Sequence, residues 1–232
     1  MLVLAAALSA AIIPHELAHA LVARAAGLSV SRLALGFGPR IVGRTVRGTA
    51  LELRLVPAGG FAQIDGLDAA PRPVRFVVAL AGPVVNLLLA GAYLIAATVA
   101  AGAVDPGQAV GAALEIGALL FTGTGELIGA YAADPGNLAL LPIAGLPSTA
   151  LAAGVAVEGG LPMLCILVAA LSLSTGVVNL LPYPPLDGAI ALGAITNRRF
   201  GRRSALAVDA LLLFVLVVNL GDGIRVVSML AR

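Results

Sequence analysis

The stretch Pro14-His15-Glu16-Leu17-Ala18-His19 decides how this chain is read. It holds both histidines of the sequence, four residues apart, with a glutamate directly after the first. On a helix, positions i and i+4 share one face, one turn apart. Leu2 to Ile13 before it is almost wholly apolar, and Ala20-Leu21-Val22-Ala23 follows it before Arg24. Leu2 to Ala26 makes about 25 residues, or about 37 Å of helix, enough to cross a bilayer. Gly27 is a natural stop. The spacing thus predicts a first transmembrane helix over 2–26 with a polar triplet inside it.

The bulk composition agrees. Of 232 residues, 60% are hydrophobic and 11% charged, against about 25% charged in soluble domains. The mean hydropathy is +1.05. A soluble domain cannot hide that much apolar surface, so an α-helical polytopic membrane protein is expected. All fourteen basic residues are arginine, and the net charge of +2 gives no reason to expect a nucleic-acid partner. The lone Cys165 excludes an intrachain disulfide. A cleaved signal peptide is the rival reading of residues 1–13, but no basic segment precedes the apolar run.

Residues 28–73 differ in kind. Leu51, Leu53 and Leu55 alternate with Glu52 and Arg54, which is strand periodicity. Arg47-Gly48 is a turn candidate, with Ile41 to Val46 as the partner strand. Gly36-Phe37-Gly38-Pro39 and Pro57-Ala58-Gly59-Gly60-Phe61 read as loop-like ends of this membrane-associated hairpin. A second span covers 74–102 and contains Ala81-Gly82-Pro83-Val84-Val85-Asn86. Residues 103–160 form an extracytoplasmic or partly inserted segment. A third span covers 161–181, broken by Pro182, Pro184 and Pro185 ahead of a Leu186-Asp187-Gly188 turn. A fourth, shorter span over 205–220 completes a single domain of about four transmembrane helices.

Arginine excess marks the cytoplasmic side. Residues 24–75 hold eight arginines, 103–160 none, and 198–203 four. Helix one then runs inward, and His15, His19 and Asp187 fall on the same inner side of a cell membrane. For that to hold, the 103–160 segment crosses zero times or twice.

Two imidazoles one turn apart can bind one metal ion, and a glutamate beside them can reach a water on that metal. This is the arrangement of zinc hydrolases, which hold the ion by three protein ligands and leave one position open. His15 and His19 supply two ligands. Asp187, a lone carboxylate in a proline-broken turn, is the best third candidate. Glu16 would act as general base. In a soluble chain this pattern recurs by chance. Within a membrane helix each ionisable side chain costs about 2.5–3.5 kcal/mol on insertion scales, which argues for a use. Asn86 and Asn179 could donate to substrate, or equally serve as interhelical hydrogen-bonding glue. The strand carrying Leu53 and Leu55 could offer an edge to an extended substrate.

These segments resemble the site-2 protease family of intramembrane zinc metalloproteases. The likeness rests on His15-Glu16-Leu17-Ala18-His19, the two glycine-rich hairpin stretches, Ala81 to Asn86, and Asn179 to Gly188, in the family's order. It implies one zinc on His15, His19 and Asp187, Glu16 as catalytic base, a hairpin that helps present an extended substrate, and Asn179 as a positioning residue. It also implies single-span membrane proteins as substrates. Many bacterial relatives carry PDZ domains between the second and third core spans; here that gap is about 58 residues and too short for one. No cystathionine-synthase-like C-terminal domain is expected either. The alternative is a non-proteolytic metal-binding membrane protein, such as a transporter subunit or an inactive scaffold. A transporter would show internal repeats and ionisable residues in several spans, and neither is present.

Overall fold

The computed structural model describes residues 2–102, 105, 107, 108, 110, 111, 158–182, 184 and 186–197. The expected fourth span at 205–220 and nearly all of the 103–160 segment lie outside them.

Helix α1 runs Leu2–Ala25. Gly27 ends it at φ 82°, and the Leu28 N–H reaches back to the Ala23 carbonyl at 2.9 Å. A left-handed residue followed by such a six-to-one bond is the Schellman stop. Pro14 lies inside the helix, so one rung of the ladder has no donor just before His15. Helix α2 runs Arg72–Ala100 with Pro73 in its first turn, where a missing N–H costs nothing. Helix α3 runs Gly160–Asn179. These three are long and apolar enough to cross a membrane. Small residues let them approach closely. Ala11 and Ala169 are fully buried, as is Ser172, whose hydroxyl donates to the Asn86 carbonyl at 3.0 Å. Ala20, Ala23 and Val78 pack with Val30 of the sheet to close the inner end of the α1–α2 contact.

A fourth element was not expected. Asp187–Thr196 is a helix, α4, where the sequence suggested only a turn at 186–188. α3 ends at Asn179, and Leu186, in extended conformation, starts the new helix. Gly188 matters here for close approach. A Cβ at this position would strike the Leu180 and Leu181 carbonyls, so glycine is what lets α4 begin against the end of α3.

The hairpin departs most from expectation. Strands β1 (Ser29–Val46) and β2 (Thr49–Asp65) are joined by Arg47-Gly48, with φ 48° and 81°. Positive φ at both central residues is the type I′ hairpin turn, which matches strand twist. The glycine-rich stretches expected as loop ends are part of the strands. Gly36 and Gly38, at φ 88° and 80°, bend β1 without ending it. The bend folds the hairpin back on itself. Residues 29–35 run antiparallel to 60–65, from Ser29 opposite Asp65 to Leu35 opposite Gly60. The same strand lies beside 50–53, from Arg32 opposite Ala50 to Leu35 opposite Leu53, with both numbers rising together. Residues 49–54 in turn run antiparallel to 40–46. The segments therefore stand in the order 60–65, 29–35, 50–53, 40–46.

That order corrects one expectation. Leu53 is paired on both sides, with Leu35 and with Val42, so its strand is internal at this point and offers no free edge. Among the described residues the edges are 60–65 and 40–46.

Candidate metal centre

His15 and His19 project from one face of α1, both buried. Their Nε2 atoms are 3.2 Å apart. Asp187, on the first turn of α4 and 172 residues from His15, places Oδ2 3.1 Å from His15 Nε2 and 3.2 Å from His19 Nε2. The proline-broken end of α3 and the contact at Gly188 bring it there. The three donor atoms form one compact cluster.

The protons say what belongs in the middle. The His19 Nδ1–H donates to the Val78 carbonyl at 2.7 Å. In a neutral imidazole that leaves Nε2 as a lone pair facing the cluster. Asp187 Oδ2 is also an acceptor, so with the imidazole neutral two acceptors would face each other at 3.2 Å. A cation resolves that conflict. Donors on a tetrahedral zinc at about 2.0–2.1 Å stand roughly 3.3 Å from one another, close to the separations found. Two imidazoles and a carboxylate are a catalytic zinc donor set, with one position left open. The residues fit the metal.

Glu16 follows His15 directly and is not one of the three donors. The 60–65 segment packs beside it: a Cβ on Gly60 would come within 3.0 Å of its Cγ.

Gly82 is a residue that sequence reasoning missed. In the sequence it stands only as one residue of the Ala81-to-Asn86 stretch of the second span. A Cβ on it would lie 2.6 Å from His15 Nε2 and closer still to His19 Nε2. No side chain fits between α2 and the donor nitrogens. The available signal was its place in a Gly-Pro pair facing the histidine span.

The remaining expected site residues are not gathered at the cluster. Asn86, one turn beyond Gly82, is fully buried against α3, and its amide has no hydrogen-bond partner among the described residues. Asn179, half-buried at the end of α3, donates from Nδ2 to the Thr175 carbonyl at 3.0 Å. Leu53 and Leu55 are exposed on the sheet. Nearby, Glu52 lies between Arg54 at 2.6 Å and Arg32 at 3.3 Å. The hydrogen bond from Arg54, helped by the charge of Arg32, holds its carboxyl below the usual range.

A two-histidine, one-aspartate centre held between apolar spanning helices defines a metal-binding membrane protein. The chain belongs to peptidase family M50, whose model matches residues 3–220. It is similar to the zinc metalloprotease RasP of Oceanobacillus iheyensis, 43% identical over 54 residues, covering 23% of this chain and 13% of that one. It is 39% identical over 75 residues to RasP of Geobacillus kaustophilus, covering 32% and 17%. It is also 43% identical over 54 residues to the regulator of sigma-W protease RasP of Bacillus subtilis, covering 23% and 13%. The chain matches under a third of the length of the curated relatives.

Proposed function

We propose that this chain is an intramembrane zinc endopeptidase that cuts the membrane segments of single-span proteins on the cytoplasmic side of a cell membrane. The observation that carries this is the His15–His19–Asp187 cluster with Glu16 beside it, set among membrane-spanning helices. Bound zinc would polarise the scissile carbonyl and lower the pKa of a water to about 7. Glu16 takes one proton from that water as its oxygen bonds to the carbonyl carbon. The same carboxyl then gives the proton to the amine nitrogen as the C–N bond breaks. Asn179 keeps Oδ1 for a substrate N–H. Asn86 is sealed between α2 and α3, so substrate reaches it only if α3 moves.

The test is co-expression with a panel of single-span membrane proteins tagged at both ends. At least one should be cut, with its cytoplasmic tag released to the soluble fraction, and a zinc chelator should stop the cleavage of membranes in vitro. A zinc-loaded protein that cuts none of the panel would favour the non-proteolytic alternative. Release on the outer side would overturn the orientation.

The presenting strand moves with the sheet order. The 60–65 edge passes Glu16, so it is the edge we assign to strand addition by an unwound substrate, which satisfies backbone groups in a dry site. Leu53→Pro, between two partner segments, is expected to cost the sheet its fold, because proline cannot serve a central ladder. Ile64→Pro removes one backbone donor from this edge. It should keep zinc and slow cleavage, and substrates with helix-breaking residues should suffer less. Unchanged cleavage of both substrate types by Ile64→Pro would take the presenting role away from this edge.

A further inference from the structure

A cavity of about 370 Å³ opens between α1 and the folded hairpin. Ile13 and Glu16 line it from the helix, Ala34, Leu51 and Leu53 from the inner segments of the sheet, and Val42 and Arg44 from the 40–46 segment. Its walls are mainly apolar. The one carboxylate of the sheet that reaches it, Glu52, is already neutralised by Arg32 and Arg54. Glu16, the base beside the metal ligands, is part of its wall, so the cavity is continuous with the place where the peptide bond is cut. Leu51 and Leu53 are 38% and 40% exposed, with apolar surface turned toward open space. A cavity of about 150 Å³ lined by aliphatic residues already takes a benzene ring. This one is more than twice as large.

We infer that this cavity selects the substrate. It takes a large apolar side chain, aromatic or long aliphatic, from a residue next to the scissile bond, and Leu51 and Leu53 set its size. The inference rests on the endopeptidase reading. It gives the sheet a second use: the outer segment at 60–65 aligns the backbone, and the inner segments read a side chain. Alanine leaves the cavity unfilled and forfeits its contacts.

The test uses full-length protein in detergent and a cleaved single-span substrate whose residues around the cut are varied one at a time. At one position phenylalanine should be preferred over alanine in kcat/KM by about tenfold or more, since a single methylene in an apolar pocket already counts for ~10-fold or more. Leu53→Trp fills the cavity and should bring that ratio to near one. Leu51→Ala enlarges it and should shift the preference toward tryptophan. Zinc content reports that each variant is intact. If Leu53→Trp does not fold, Leu51→Ala decides alone. An unchanged preference in zinc-loaded variants that still cleave overturns this inference and leaves the protease reading standing. Absence of any cleavage by the zinc-loaded wild type overturns both. A co-purifying phospholipid that Leu53→Trp expels, with side-chain preference unaltered, makes the cavity a lipid site and also overturns the inference.

Discussion

Glu16→Gln is expected to keep one zinc per chain and to lose about 10²–10⁴-fold in the rate of substrate cleavage, the range a general base contributes. The two parts follow from separate observations. Zinc stays because Glu16 is not among the three clustered donors. The rate falls because an amide cannot take a proton from water near neutral pH. Glutamine is the right replacement, since it keeps the size and shape of the side chain packed beside Gly60. Elemental analysis and a cleavage time course on the same preparation give both readouts. Loss of zinc would make Glu16 a ligand. Retained zinc with activity near wild type would remove it from the chemistry.

Gly82→Ala is the second large effect, and it acts without touching a charged group. The added methyl would occupy the space in front of both donor nitrogens. Either α2 moves off α1 or the imidazoles rotate, and both spoil the donor geometry. Disturbing a partner that only orients metal ligands costs about 10–100-fold in affinity, and direct overlap should cost at least that. The fold should survive, because overpacking by one methyl costs roughly 1–3 kcal/mol. Gly91→Ala is the control on the same helix. Its Cβ would meet nothing within 4 Å, so zinc should be retained. Equal zinc in both variants would mean that α2 yields at Gly82 and that the glycine is dispensable.

The two predictions draw on different sources. Glu16 could be chosen from the sequence, because its place beside His15 and the i, i+4 histidines is local. Gly82 could not, because its importance lies in the distance between two helices 60 residues apart in the chain. Asp187 stands between these cases. A catalytic zinc calls for a third donor, and arginine asymmetry put this aspartate on the histidines' side of the membrane. That it meets them depends on α4, which was not foreseen. The break at Pro182 to Pro185 was visible; the helix restarting at Asp187, made possible by Gly188, was not.

The sheet draws the same line most clearly. Alternation in Leu51-Glu52-Leu53-Arg54-Leu55 marked a strand, and Arg47-Gly48 marked its turn, since both are set by backbone preferences over a few residues. Alternation says which faces a strand has. It does not say which neighbours it has. Two left-handed glycines, Gly36 and Gly38, bend β1 enough to lay 32–35 beside 50–53. That contact turns the expected edge into the interior and leaves 60–65 beside Glu16. The sequence by itself determined the three long apolar helices, the histidine pair on α1 with Glu16 beside it, and the hairpin turn, because each rests on short-range periodicity or local spacing. Tertiary structure alone decided the strand order, the close approach at Gly82 and Gly188, and the cavity over Leu51 and Leu53. Those depend on how far apart segments distant in the chain come to rest, and no local pattern carries that distance.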